Sequence, residues 1–151
     1  MLYMDTKEQL SVALKEAMRA NDELRKRTIR QTLAAIKQVE IDKRLTLDEA
    51  GVLVVIQKEV KSRYEAIADA ERAHRPDLVS AAQDEIGVLE NFLPKALTPV
   101  ELEALARQAI TEVGATSPRE MGQVMKTLIP RLQGRATGDQ ASQAVRKLLQ
   151  P

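Results

Sequence analysis

The amino-acid sequence predicts an all-α protein: an N-terminal helical domain of about four helices, residues 1–96, then a small three-helix C-terminal domain, residues 97–151. Three observations carry this. Apolar residues recur at three- and four-residue steps nearly everywhere, the period of a helix with one buried face. Aromatics are only 2% of the 151 residues (Tyr3, Tyr64, Phe92), so the core falls to Leu, Ile, Val, Ala and Met, a palette that packs helix on helix. Proline, glycine and short polar residues punctuate the chain at helix-length intervals.

In the first element, Leu10, Ala13, Leu14, Ala17 and Met18 share a face, and Asn21-Asp22 offers a stop and a new cap. A second helix places Ile29, Leu33, Ile36 and Val39 on one side. Thr46-Leu-Asp-Glu49 has the form of a capping box opening a third helix through Val52, Val55, Ile56, Val60 and Ile67. The run Val52–Ile56 alone could pass for a buried strand, but its continuation in helical register to Ile67 favours a helix. Arg75-Pro76-Asp77 breaks the chain before a fourth helix marked by Leu78, Ala82, Ile86, Leu89 and Leu93. Pro94 and Pro99 bracket a joint, and Thr98-Pro99-Val100-Glu101 caps the next helix, proline being suited to a first helical turn. Ser117-Pro118-Arg119-Glu120 repeats that start after Gly114, a left-handed stop. Thr137-Gly138-Asp139-Gln140 is a third start, with Gly134 ending the helix that contains Pro130.

Composition narrows the function classes. Apolar residues at 44% supply a core and charged residues at 30% a solvated exterior. With no cysteine there is no disulfide framework, thiolate metal site or cysteine nucleophile. No stretch approaches the roughly 18 apolar residues of a membrane-spanning helix, and the N-terminus lacks an export pattern. These features lead to an expectation of a cytoplasmic protein with no membrane partner.

Catalysis has little to stand on. The single histidine, His74, sits at a helix end with no partnered nucleophile near it in sequence. There is no Gly-x-Ser-x-Gly elbow, and Ser11, Ser62, Ser80, Ser117 and Ser142 fall at helix surfaces or caps. The pairs Asp22/Glu23, Asp48/Glu49 and Asp84/Glu85 point about 100° apart on a helix, unsuited to a shared metal. The expectation is therefore no catalytic residues, no metal and no cofactor. Gly134-Arg-Ala-Thr-Gly138 is a glycine-bracketed loop entering a helix. Its free amides favour an anion that Arg135 could clamp, though it lacks the Lys-Ser/Thr of a phosphate loop and equally suits a plain helix–helix turn.

Charge distribution says more than the net of +1. From Arg25 to Arg44 there are seven basic residues against two acidic ones, and from Glu65 to Glu90 seven acidic against two basic. Either the stretches pair across neighbouring helices, or a basic face is left for a polyanion. On a helix, Lys26, Arg30, Lys37 and Arg44 fall within roughly 40° of one another, Arg44 only if the helix runs that far. Their stems could cover core surface, or their charges could track a phosphate backbone. With three aromatics in the chain, RNA would be gripped by backbone and shape, not by stacking.

At the joint and the tail the residues become specific. Glu90-Asn-Phe-Leu-Pro-Lys-Ala-Leu97, Glu112-Val-Gly-Ala115, Met121-Gly-Gln-Val-Met125 and Gly134-Arg-Ala-Thr-Gly138 occur in the order and spacing of the GatB/YqeY family. Leu33-Ala-Ala-Ile-Lys-Gln-Val-Glu-Ile41 and Arg75-Pro-Asp-Leu78 also look like that family. From about residue 5 to the C-terminus the chain resembles a stand-alone YqeY-type protein. The resemblance implies an all-α fold whose C-terminal half is similar to the tail of the GatB subunit of tRNA-dependent amidotransferase. That tail approaches tRNA, while the ATP- and glutamine-using sites lie elsewhere. It also implies a carbon–nitrogen ligase with glutamine as amido donor, for which this sequence supplies no catalytic residues. Where the family commonly has Asp in the Gly-Arg-Ala-Asp-Gly turn, Thr137 stands here. Threonine also caps a helix, but a role needing a carboxylate there is lost.

Three functions follow as alternatives. One is a tRNA-binding module using Lys26, Arg30, Lys37, Arg44 and Arg135, with Gly134, Thr137 and Gly138 forming the turn. Another is an adaptor docking onto a protein partner such as an amidotransferase or a tRNA-charging enzyme, through the flexible strip Met121, Met125 and Leu128. The third is a ligase acting alone.

Overall fold

Residues 4–150 are described by this computed structural model, and among them regular structure is helical, with no strand; Tyr3 lies outside them. The helices are α1 (Thr6–Arg19), α2 (Glu23–Lys43), α3 (Glu49–Arg72), α4 (Pro76–Glu90), α5 (Pro99–Val113), α6 (Met121–Leu132, preceded by a 3-10 turn at Pro118–Glu120) and α7 (Gly138–Leu149). The run Val52–Ile56 is helical, as its register requires.

Local chemistry accounts for most ends. Asp5, Asp22 and Asp48 cap α1, α2 and α3, each side chain accepting from the amide three residues on. Thr98 with Glu101 and Thr137 with Gln140 form reciprocal capping boxes on α5 and α7. Helices α1, α2, α3 and α5 close with a six-residue bond at their C-termini, such as Leu45 N–H to Glu40 C=O at 3.1 Å. The left-handed residue this needs is Gly114 after α5, but Asn21, Arg44 and His74 after the other three.

Two starts differ from the sequence expectation. Asp48, not Thr46, caps α3, because Glu49 turns away from a capping box to accept from the Thr6 amide (3.0 Å) and hydroxyl, 43 residues back. Ser117-Pro118 opens only the 3-10 turn. Ser117 makes no cap bond, and Glu120 accepts from the Thr116 amide (2.8 Å), so α6 begins at Met121.

Contacts gather into two compact units, residues 1–94 and 95–151. In the first, Leu10, Ile29, Ile36, Val52, Ile56 and Leu89 form the centre, with Phe92 and Leu93 packed on it. Each fully buried aliphatic side chain contributes about 1.5–3 kcal/mol. Two charged side chains inside this unit are clamped by partners, while the fully buried hydroxyl of Thr28 has none. Arg63, 8% exposed, donates from Nε to Glu85 (2.9 Å), from Nη1 to Glu59 (2.8 Å) and its carbonyl (3.0 Å), and from Nη2 to Gln31 (3.0 Å), joining α2, α3 and α4. Buried Glu40 accepts from Lys7 (3.0 Å) and from the Leu47 amide (2.8 Å), joining α1, α2 and the turn into α3.

In the second unit, Ala106 and Ala109 of α5 meet Val124 and Leu128 of α6 and Ala141 and Val145 of α7. Alanines on α5 and α7 let the three short helices approach closely. The joint is sewn onto this unit: Leu97 N–H donates to the Arg135 carbonyl (2.8 Å), and Arg135 Nε donates to the Lys95 carbonyl (2.9 Å).

Candidate nucleic-acid interface

Helix α2 buries Ile29, Thr32 and Ile36 and half-buries Leu33 and Val39, which turns the opposite face to solvent. Arg30 and Lys37 stand exposed beside the buried stripe, on the border marked by half-buried Leu33. Lys26, in line with them, is half-buried and bonds to Glu23 at 2.7 Å, so part of its charge is neutralised. Arg30 lies across from α1, its Nη2 3.9 Å from the sulfur of Met18. Arg44 leaves the row: α2 ends at Lys43 and Arg44 is its left-handed cap (φ 55°), exposed beyond the last turn. Between Glu23 and Glu40 the helix carries five basic residues and no carboxylate.

The basic and acidic stretches do touch, at one place: Arg27 reaches Glu85 at 3.4 Å, and Glu85 is also the partner of Arg63. Glu40, at the far end of α2, is held well below the usual carboxylate range, first by the Leu47 amide and then by Lys7.

The remaining candidates are dispersed. Arg135 has its guanidinium on the Lys95 carbonyl and, at 3.3 Å, on Glu101, so a phosphate would compete with both. The turn around it is built as a helix start, with Gly134 left-handed (φ 75°), Thr137 the cap and Gly138 the first residue of α7. Thr137 fulfils the capping role with a hydroxyl, its Oγ1 accepting from Gln140 N–H at 3.1 Å. His74 is exposed in the α3–α4 turn, on the rim of an open hollow of about 450 Å³ shared with Glu71, Arg75, Pro76, Val79, Ser80 and Gln83. Among the described residues no three His, Asp or Glu side chains are grouped to hold a metal. The strip Met121, Met125 and Leu128 belongs to the core of the second unit, Leu128 fully buried and both methionines packed against it.

Sequence reasoning missed Arg63 and Glu40 as organising residues. A signal for Arg63 was present: it stands seven residues after Ile56 and seven before Ala70, on the stripe that α3 buries.

An all-helical chain with a basic helix face is a common construction, and comparison with known proteins narrows it. The chain belongs to the Yqey-like protein family, whose pattern matches residues 7–149. Among curated relatives, a protein of Kluyveromyces lactis called altered inheritance of mitochondria protein 41, mitochondrial, is 39% identical over 120 residues, covering 77% of this chain and 64% of that protein. Its namesake in Lachancea thermotolerans is 34% identical over 119 residues with the same shares. That in Pyrenophora tritici-repentis is 28% identical over 130 residues, covering 85% of this chain and 71% of the relative. The chain thus spans a little under two thirds of the length of the first two.

These names overturn the expectation of a cytoplasmic location, since the relatives are mitochondrial proteins by name. Composition could not separate the two, because a cysteine-free helical protein suits any reducing aqueous compartment. No helix among the described residues is long and apolar enough to cross a membrane.

Proposed function

We propose that the chain is a binding module that grips tRNA along the sugar-phosphate backbone through the exposed face of α2, in connection with tRNA-dependent amidation that takes nitrogen from glutamine. The observation that supports this is the row on α2 of exposed Arg30 and Lys37, with half-buried Lys26 in line, in a stretch from Leu24 to Val39 that holds no carboxylate. Guanidinium and ammonium groups in a row suit a row of phosphates, and a face without aromatic rings suits backbone rather than base recognition. Arg44 extends the contact beyond the helix end. Arg135 joins it only by giving up its bonds to Lys95 and Glu101, so its replacement is expected to matter less than that of Arg30 or Lys37. The relatives' names make the mitochondrion the compartment in which to look for the ligand. We also take the joint near residue 96 as a domain boundary, with 97–151 folding when expressed alone.

The test is tRNA binding measured across a salt series. Three phosphate contacts give a log–log slope of roughly −2 to −3, and Arg30→Ala and Lys37→Ala each reduce it by about one. No binding at low salt, or slopes untouched by either substitution, refutes the reading.

A further inference from the structure

Helices α1 and α2 lie antiparallel, and two contacts fix their register. Lys7 reaches Glu40 at 3.0 Å, and Arg30 Nη2 lies 3.9 Å from the Met18 sulfur, so a step along α1 answers a step back along α2. Lys15, three residues before Met18, is thereby level with Leu33, between Arg30 and Lys37. Around α1 it lies within about 60° of Met18, on the side turned toward the basic border of α2. Lys15 is exposed and, among the described residues, has no hydrogen-bond or ion-pair partner. Of the acidic residues nearest to it on α1, Glu16 is turned about 100° away and Glu8 stands about 10 Å off along the axis.

We infer, resting on the proposed tRNA binding, that the interface is the seam of α1 and α2 with Lys15 as a further contact, and that the part of the RNA it takes is a base-paired stem. Arg30 and Lys37 are about 10.5 Å apart along α2, and Lys15 stands between their levels on a helix whose axis is about 8–10 Å away. Three cations spread over two rigid helices suit phosphates that hold fixed positions. Between them the seam carries Ser11, Leu14, Met18, Leu33 and Ala34. None of these has a ring or an amide, the groups that stack on an unpaired base or read its edge. A single strand laid here loses its freedom with no base contact in return, whereas a stem is already ordered and turns its bases inward. A duplex also carries the denser phosphate charge, so each cation releases more counterion from it.

The test is fluorescence anisotropy of the full chain in a salt series, with a short RNA duplex and with an oligouridylate carrying the same number of phosphates. The duplex is expected to bind about tenfold tighter or more. On the duplex, Lys15→Ala is expected to lower the log–log slope by about one, and Lys15→Arg to keep it. Lys58→Ala removes an exposed charge from the outward side of α3 and is expected to leave the slope alone. Far-UV circular dichroism is expected to stay unchanged throughout, since both lysines are exposed. A slope untouched by Lys15→Ala overturns the inference; if Arg30→Ala still lowers it, tRNA binding stands with α2 acting alone. Equal losses from Lys15→Ala and Lys58→Ala overturn it too, as does oligouridylate binding as tightly as the duplex. Failure to bind the duplex, the single strand or tRNA refutes tRNA binding itself and the seam with it.

Discussion

Replacing Arg63 by Met is the most informative perturbation of the fold, because it keeps the long stem and removes only the charge and the hydrogen bonds. Arg63 is 8% exposed and its guanidinium makes four bonds to three helices, two of them to carboxylates that are themselves 18% and 28% exposed. Removing one partner of a buried ion pair costs about 3–5 kcal/mol, most of it from the carboxylate left without compensation. Here Glu59 can turn to water, and Glu85 keeps Arg27 at 3.4 Å, so the lower end, about 3 kcal/mol, is expected. With a urea m-value of about 1.5 kcal/mol per molar, the midpoint of the first unit's transition drops by about 2 M with m unchanged. Urea titration followed by circular dichroism reads this. A drop under roughly 0.5 M would mean that the cluster behaves as a solvated surface pair and holds nothing together.

Three further outcomes follow from single residues. Gly87 sits in the last turn of α4 with open space where a Cβ would stand, so Gly87→Ala is expected to stabilise by about 0.5 kcal/mol in the same titration. The carboxylate of Glu40 is held below its ordinary range when folded, so its contribution is complete above the unfolded pKa of about 4.3 and fades as pH falls through the lower folded value. Glu40→Gln should therefore flatten the acid limb of the stability curve below pH of about 4, and an unchanged limb counts against the clasp. Arg44→Gly relieves a left-handed non-glycine residue and is expected to raise stability by about 1 kcal/mol. The same change should weaken RNA binding if Arg44 touches phosphate, so stability and affinity moving in opposite directions is the expected signature.

How far the site could be read from residues is clearest along α2. The row Lys26, Arg30, Lys37 follows from spacing alone, because a helix of known period fixes which side chains share a face. Its electrostatic quality does not. Lys26 is muted by a neighbour one turn away, and Arg44 drops out because the helix stops one residue short. Arg135 is the sharper case. Its loop has the form of an anion cradle, yet its guanidinium is drawn to a carbonyl 40 residues back, which no local pattern reports.

Residue order alone dictates the helical class, the caps at Asp22, Thr98 and Thr137 and the left-handed stop at Gly114. Each rests on a backbone group satisfied within four residues, and such bonds form wherever those residues occur in that order. Tertiary packing is what draws Glu49 from its own helix start to Thr6 and buries Leu128 with Met121 and Met125 half-buried against it. It also decided that Arg63 and Glu40 are interior ties. Those outcomes depend on which distant group arrives to desolvate or pair a side chain, and a charge removed from water takes the partner that packing brings to it, not the one its sequence neighbours offer.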